Sequence, residues 1–102
     1  MRCHSLVVAT CFALLPVVAT AQTADPNLAR NIAAGCANCH GTNGVSQGGV
    51  PSLAGQSKAD LVRKMQDFKS GKTPATIMPQ LAKGYSDEQI DIVAGFFAAQ
   101  KP

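Results

Sequence analysis

The chain has 102 residues, nine basic and six acidic side chains, and a formal net charge of +3; 46% of its residues are hydrophobic and only 5% are aromatic. This length predicts one domain at most. So sparse a positive charge gives no support for nucleic-acid binding, which needs a dense basic stripe.

Residues 1–21 have the pattern of a secretory signal peptide. Arg2 gives the positive start, residues 6–18 form an almost unbroken apolar run, and Ala19-Thr20-Ala21 is a small-x-small cleavage signal. We therefore expect cleavage near Ala21-Gln22 and export to the periplasm. The apolar run is too short to cross a bilayer comfortably and no later segment approaches that length, so no membrane-spanning segment is expected.

Residues 22–102 are expected to form a single domain after cleavage. A lipoprotein anchor at Cys11 is not favoured, because this cysteine lies inside the apolar run. Loss of the signal peptide leaves Cys36 and Cys39 as the only cysteines and His40 as the only histidine. The remaining core is thin, and chains below roughly 70–80 residues seldom reach stability from side chains alone.

Three helices are predicted in this domain. The first begins at Asp25-Pro26, an N-cap residue followed by proline at the first helical position, and ends at the turn-forming segment 41–44. The second begins at Ser57, where Asp60 completes a capping-box pattern, and ends at Gly71.

The third helix begins at Ser86, which forms a second capping-box pattern with Gln89. Its apolar residues recur at i, i+3, i+4 and i+7 and form one stripe: Ile90, Val93, Ala94 and Phe97. No segment has convincing strand alternation. The pattern predicts an all-α domain with two loop regions, 41–56 and 72–85.

Residues 36–40 read Cys-Ala-Asn-Cys-His, the C-x-x-C-H pattern of covalent haem attachment. The thiols of Cys36 and Cys39 can each add to one vinyl group of the porphyrin. His40 is then carried under the ring, where its imidazole can bind the iron. The sequence predicts one covalently bound haem c, which would also add apolar volume to the core.

The second axial position of the iron has two candidate ligands, Met65 and Met78. Met65 shares a helical stripe with Leu61 and Phe68, so we interpret it as a core residue. Met78 lies in the proline-containing loop and is followed by Pro79, which would limit the entropic cost of holding its sulfur on the iron. We therefore predict Met78 as the ligand.

The other ring nitrogen of an iron-bound histidine usually donates to a carbonyl or carboxylate. Pro51, in the glycine-containing segment 48–55, is the candidate to offer that carbonyl to His40, although spacing alone does not single it out from its neighbours.

Two other protein classes use paired cysteines. A thiol-disulfide redox module would use Cys36 and Cys39 as redox partners, but it normally places them after a strand in a βαβ unit. A structural disulfide or zinc module is a remote alternative, because two thiols and one adjacent histidine make a poor zinc set.

Four segments of the chain together resemble a class I cytochrome c: Cys36 to Gly41, Pro51-x-Leu53-x-Gly55, Met78-Pro79, and Ser86-Asp87-Glu88. Segments 67–71 and 82–88 are similar to a narrower group, which includes cytochrome c4 domains, small bacterial c-553-type carriers and the cytochrome subunit of flavocytochrome c sulfide dehydrogenase. Residues 83–87 favour the last of these.

This resemblance implies the class I cytochrome c fold, wrapped round one covalent haem. In that fold the first and last helices cross near the haem edge, where Gly35 and Gly95 would permit close approach. The resemblance also implies that the Pro51 carbonyl contacts His40 and that Met78 binds the iron. Proteins of the c4 type have two such domains, whereas this chain has one haem motif.

With His40 and Met78 both bound, the iron would have no open position for a substrate. We therefore expect one-electron transfer with a redox partner protein rather than an enzyme. The resemblance implies a flavoprotein partner, with this chain as the cytochrome subunit of a sulfide dehydrogenase; a freely diffusing monohaem carrier is the alternative.

Basic side chains concentrate in the middle of the chain: Lys58, Arg63, Lys64, Lys69, Lys72 and Lys83. They could form a basic rim that steers an acidic partner. Ordinary solvated helix faces are the simpler interpretation.

Overall fold

The computed structural model describes residues 25–102, so the expected signal peptide and its cleavage site lie outside the described residues. This part of the chain forms four α-helices and one 3₁₀ turn: α1 Leu28–His40, the turn Thr42–Gly44, α2 Lys58–Lys69, α3 Met78–Ala82 and α4 Asp87–Ala98. It contains no strand, which confirms the all-α prediction. None of these helices is both long and apolar enough to cross a membrane.

The start of α1 differs from the prediction. The N-cap residue is Asn27 rather than Asp25, and the helix begins at Leu28. Asp25 instead stabilises the turn before the helix, where its carboxylate accepts a hydrogen bond from the Asn27 backbone N–H at 2.8 Å. This local side-chain bond competes with continuation of the helix toward the N-terminus.

The two serine caps lie where the sequence predicts them. The Ser57 hydroxyl accepts from the Asp60 backbone N–H at 3.1 Å, but the Asp60 carboxylate accepts from that hydroxyl rather than from the Ser57 backbone. At α4 both halves of the capping box form: Ser86 Oγ accepts from the Gln89 N–H at 3.2 Å, and Gln89 Oε1 accepts from the Ser86 N–H at 2.9 Å.

The short helix α3 lies within the segment 72–85, which the sequence predicts to be a loop. Pro79 is compatible with helix here, since it lies in the first turn, where a backbone N–H would have no helical partner. The Ile77 carbonyl accepts from the Gln80 and Leu81 backbone N–H groups at 3.0 and 3.1 Å. Met78 is therefore the first residue of a helix rather than a loop residue.

The core lies where α1, α2 and α4 meet. Its buried cluster contains one residue of α1, one of α2 and three of α4: Ala33, Leu61, Val93, Ala94 and Phe97. Ile90 of α4 is also buried, so all four residues of the predicted apolar stripe are inside. This confirms the interpretation of the last helix.

The expected role of two glycines at the crossing of α1 and α4 is wrong. A Cβ atom added at Gly35 would lie 3.3 Å from the Tyr85 hydroxyl oxygen, and one added at Gly95 would lie 3.8 Å from the Lys58 side chain. Neither glycine therefore makes room for the opposite helix. Alanines of the buried cluster supply the small residues there.

Gly44 joins the first loop to α4. Its φ is +79°, and a Cβ atom here would lie 2.7 Å from Phe97 Cδ1 and 2.9 Å from the Ala54 backbone nitrogen. The Gly44 carbonyl accepts from the backbone N–H groups of Leu53 and Ala54 at 2.8 and 3.1 Å, and the Gly55 N–H donates to the Phe97 carbonyl at 3.0 Å. The end of the loop is thereby fixed against the last helix.

Gly44→Ala is expected to lower the free energy of unfolding by about 2–5 kcal/mol, because the methyl group adds left-handed backbone strain and overpacking against Phe97. Gly71→Ala is the matched control: its φ is +80°, but nothing lies within 4 Å of the added Cβ atom, so only the strain of about 1–2 kcal/mol is expected. Urea unfolding followed by circular dichroism measures both. Equal losses would show that the contact with Phe97 contributes nothing.

Candidate cofactor-binding site

A cleft of about 400 Å³ opens between the helices, within the range of roughly 300–1,000 Å³ for small-molecule and cofactor sites. Its walls come from every α-helix and from the two loops, and most of the lining side chains are apolar. The residues that line it are Gly35, Cys36, Cys39, His40, Val50, Pro51, Leu53, Gln56, Leu61, Lys64, Met65, Phe68, Ile77, Met78, Leu81, Tyr85, Val93, Ala94 and Phe97.

The C-x-x-C-H motif forms the last turn of α1. Cys36 and Cys39 are three positions apart, which places them on one face of the helix. Both line the cleft together with His40, the last helical residue. Cys36 is half-buried and Cys39 is exposed. The fold thus brings two thiols and one imidazole to the same wall of the cleft.

His40 contacts the loop that contains Pro51, and both residues line the cleft. Its Nδ1 atom lies 2.6 Å from the Pro51 carbonyl oxygen. A carbonyl can only accept, so Nδ1 carries the proton and donates, and Nε2 keeps its lone pair. Pro51 therefore offers the carbonyl that hydrogen-bonds to His40, although sequence spacing alone could not distinguish it from its neighbours. This hydrogen bond leaves His40 able to bind a metal through Nε2.

Two methionines line the cleft. Met78 begins α3, and Met65 lies on α2 beside Phe68. Both are half-buried, and Met65 is not part of the buried cluster, so its interpretation as a core residue does not describe its position. The structure brings two thioether sulfurs to the site instead of one.

Three large apolar side chains of the cleft are unusually exposed. Val50, Ile77 and Leu81 are 38%, 55% and 47% exposed. A contiguous exposed apolar surface of this kind is typical of a binding site. A large apolar ring held by the two cysteines would cover such side chains, so the residues present fit a haem group.

Tyr85 is a site residue that the sequence analysis missed. Its hydroxyl lies against Gly35, and it hydrogen-bonds to the neighbouring Cys36 side chain. Burial raises the pKa of the free Cys36 thiol, and this hydrogen bond partly opposes the rise. Burial, and then the proximity of Cys36, also raise the pKa of Tyr85. No spacing rule would have indicated this contact, because the residues come from distant segments.

Lys69 holds the backbone of Tyr85 in place. Its Nζ atom donates to the Tyr85 carbonyl at 2.7 Å and to Asp87 Oδ1 at 3.2 Å. Gln66 donates to the same carboxylate oxygen at 2.9 Å. The hydrogen bond from Gln66, followed by that from Lys69, lowers the pKa of Asp87. The end of α2 is thereby tied to the start of α4.

Four of the six basic residues considered above as a steering rim are paired with carboxylates. Lys58 lies 2.8 Å from Asp91, and Lys69 lies 3.2 Å from Asp87. The remaining pairs are Arg63–Asp60 at 3.5 Å, Arg63–Asp67 at 3.3 Å and Lys72–Asp67 at 3.7 Å. This pairing favours the interpretation of these residues as solvated helix faces.

The family model that matches this chain and three of its relatives are all named as cytochromes. The family model described as "Cytochrome C oxidase, cbb3-type, subunit III" matches residues 23–97. The cytochrome subunit of sulfide dehydrogenase from Chlorobaculum tepidum is 42% identical over 62 residues, which cover 61% of this chain and 56% of that protein. A cytochrome c4 from Pseudomonas aeruginosa is 40% identical over 70 residues, covering 68% of this chain and 35% of that protein.

A third relative is cytochrome c-554(548) from Halomonas halodenitrificans, which is 33% identical over 70 residues, covering 65% of this chain and 84% of that protein. The chain thus spans about half the length of the Chlorobaculum protein and about a third of the Pseudomonas protein. It spans most of the Halomonas protein.

Lys69→Met is expected to lower the free energy of unfolding by about 1–3 kcal/mol, because it leaves the Tyr85 carbonyl without its donor. Lys72→Met is the matched control. Its ion pair with Asp67 is long, and its side chain is 76% exposed, so the loss should be at most about 0.5 kcal/mol. Urea unfolding of both variants tests the difference, and equal effects would contradict a special role for the contact with Tyr85.

Proposed function

The chain belongs to the cytochrome c family, whose members transfer electrons through covalently bound haem c, and we propose that it carries single electrons through one haem whose iron is bound by His40 and Met78. The observation that carries this proposal is the position of His40. It lies beside both cysteines on the wall of an apolar cleft, with Nδ1 hydrogen-bonded to the Pro51 carbonyl.

Each residue has a distinct task in this proposal. Cys36 and Cys39 hold the haem through thioether bonds, formed when their S–H groups add across its two vinyl groups. His40 binds the iron through Nε2, and Pro51 fixes the orientation of the imidazole. Met78 would offer its thioether sulfur as the second ligand of the iron, which would favour the ferrous state.

The bound haem supplies a one-electron couple between ferrous and ferric iron. The surrounding side chains exclude water from it, which raises the reduction potential further. With His40 and Met78 as its two protein ligands, the iron would have no position left for a substrate. Electrons must therefore come from one partner protein and pass to another.

We propose further that the chain acts in the periplasm and accepts electrons as the cytochrome subunit of a flavoprotein sulfide dehydrogenase. The signal-peptide pattern of residues 1–21 supports export. The name of the Chlorobaculum relative, at 42% identity, supports the subunit role.

A freely diffusing carrier is the second candidate. The chain covers 84% of the Halomonas cytochrome but only 56% of the sulfide dehydrogenase subunit. Its similarity therefore extends over nearly the full length of a protein whose name indicates a cytochrome alone.

Size-exclusion chromatography of a native periplasmic extract, with haem and flavin absorbance followed together, separates the two candidates. Co-elution of haem with flavin at a mass well above one small domain supports the subunit role, and sulfide is then tested as the electron donor. Haem that elutes alone at the mass of a small monomer supports the carrier. Haem that remains attached to the chain after denaturation and solvent extraction establishes the covalent link; loss of all colour would overturn both candidates.

Met78→Ala is expected to open an axial position on the iron. The reduced variant should bind carbon monoxide rapidly, and its reduction potential should fall because the thioether ligand is lost. Met65→Ala removes the other methionine of the cleft and is the matched control. The ferric spectrum of this variant should be unchanged, and its reduced iron should not bind carbon monoxide.

The two variants also distinguish the two methionines as ligands. An open site in Met65→Ala together with an unchanged spectrum in Met78→Ala would assign the iron ligand to Met65. Optical spectra of both oxidation states and carbon monoxide mixing provide the measurements.

A further inference from the structure

One cation lies on the apolar wall of the cleft. The residues with which α2 lines the cleft are Leu61, Lys64, Met65 and Phe68. Their spacing of i, i+3, i+4 and i+7 is that of a single helix face. Three of the four are apolar, so Lys64 is an exposed charged residue on an otherwise apolar helix face. Among the described residues that line the cleft, it is the one Lys or Arg.

The surroundings of Lys64 differ from those of the neighbouring cations. Lys58, Arg63, Lys69 and Lys72 each lie within 4 Å of an aspartate carboxylate. Within residues 25–102, no carboxylate lies at ion-pair distance from Lys64. The positive charge on the cleft wall therefore has no carboxylate in direct contact in this part of the protein, and Asp60, one turn earlier on α2, interacts with it only at longer range.

The ammonium group of Lys64 is nevertheless held in position. Its Nζ atom donates to Gln56 Oε1 at 2.7 Å. The Gln56 amide in turn donates through Nε2 to the Ser52 carbonyl in the loop that carries Pro51. An ammonium has three N–H donors, so two of them remain for another acceptor.

The haem supplies an acceptor of the required charge. Its two propionate groups are carboxylates, and they lie on the edge of the porphyrin away from the vinyl groups that Cys36 and Cys39 would hold. We propose that Lys64, oriented by Gln56, binds a propionate carboxylate of the haem. This inference rests on the proposed haem-binding function. It makes Lys64 a cofactor-binding residue and Gln56 a positioning residue.

Lys64→Met tests this binding role in the haem-loaded protein. The variant keeps the length of the side chain and a good helix former, but it leaves the propionate charge uncompensated, which favours ferric iron. At a fixed applied potential the ferrous-to-ferric ratio should fall roughly three- to tenfold, since charge-assisted hydrogen bonds are the stronger class. The propionate-bending bands of the resonance Raman spectrum should also shift.

Two control variants accompany it. Lys83→Met removes one positive charge outside the cleft, and screening should limit its effect on that ratio to less than about twofold. Lys64→Arg keeps the charge and should keep the ratio close to that of the wild type. Lys64→Gln replaces Lys64→Met if the latter does not fold.

Three outcomes would overturn the inference: unchanged Raman bands in Lys64→Met, an unchanged ferrous-to-ferric ratio, or an equal change in Lys83→Met. Unchanged Raman bands overturn the inference even if the ferrous-to-ferric ratio falls, because the charge of Lys64 would then act on the iron from a distance. Covalent haem in the wild-type preparation is measured alongside. The absence of covalent haem would overturn the proposed function itself. If covalent haem is present but Lys64→Met changes neither the ferrous-to-ferric ratio nor the Raman bands, only the role of Lys64 is overturned.

Discussion

The hydrogen bond between His40 Nδ1 and the Pro51 carbonyl joins the parts of the structure on which the site depends. His40 ends α1, and Pro51 lies in a loop that lines the cleft. Gly44 fixes the end of that loop through its carbonyl, and the loop is bonded to Phe97 of α4. One short polar contact therefore relates the orientation of the imidazole to the packing of the last helix. A shift of either element would change the orientation of the imidazole.

A thin core makes the cleft important for stability as well as for chemistry. Phe97, Leu61, Val93 and Ala94 belong to the buried cluster and also line the cleft. A ligand that fills the cleft therefore covers the outer surface of the core itself. Burial of apolar area contributes about 25 cal/mol per Å², and a group that binds only the folded state stabilises that state. Cofactor attachment and folding are thus expected to be strongly coupled in this family member.

The sequence was sufficient for features that depend on neighbouring residues. The capping box of Ser86 and Gln89 and the apolar stripe of α4 require only local spacing, and both are present in the structure. The C-x-x-C-H motif likewise needs only one helical turn. Contacts between distant segments could not be predicted from local spacing. The proximity of Tyr85 to Cys36 and the position of Met65 on the cleft wall depend on how the four helices pack, which no local pattern specifies. The family resemblance indicated Pro51 where spacing could not.

Helix α3 shows why the proposed second iron ligand, Met78, is the hardest part of the site to derive from sequence. A helix of five residues is not stable alone, because nucleation fixes several residues for very few hydrogen bonds. It persists here because Ala82 is completely buried and because Pro79 suits the first turn. The position of Met78 is therefore a property of tertiary packing, and the proline that suggested a rigid loop acts instead at the start of a helix. If Met78 is the ligand as proposed, the contact of α3 with the core, rather than the loop backbone, would supply the rigidity that a ligand requires.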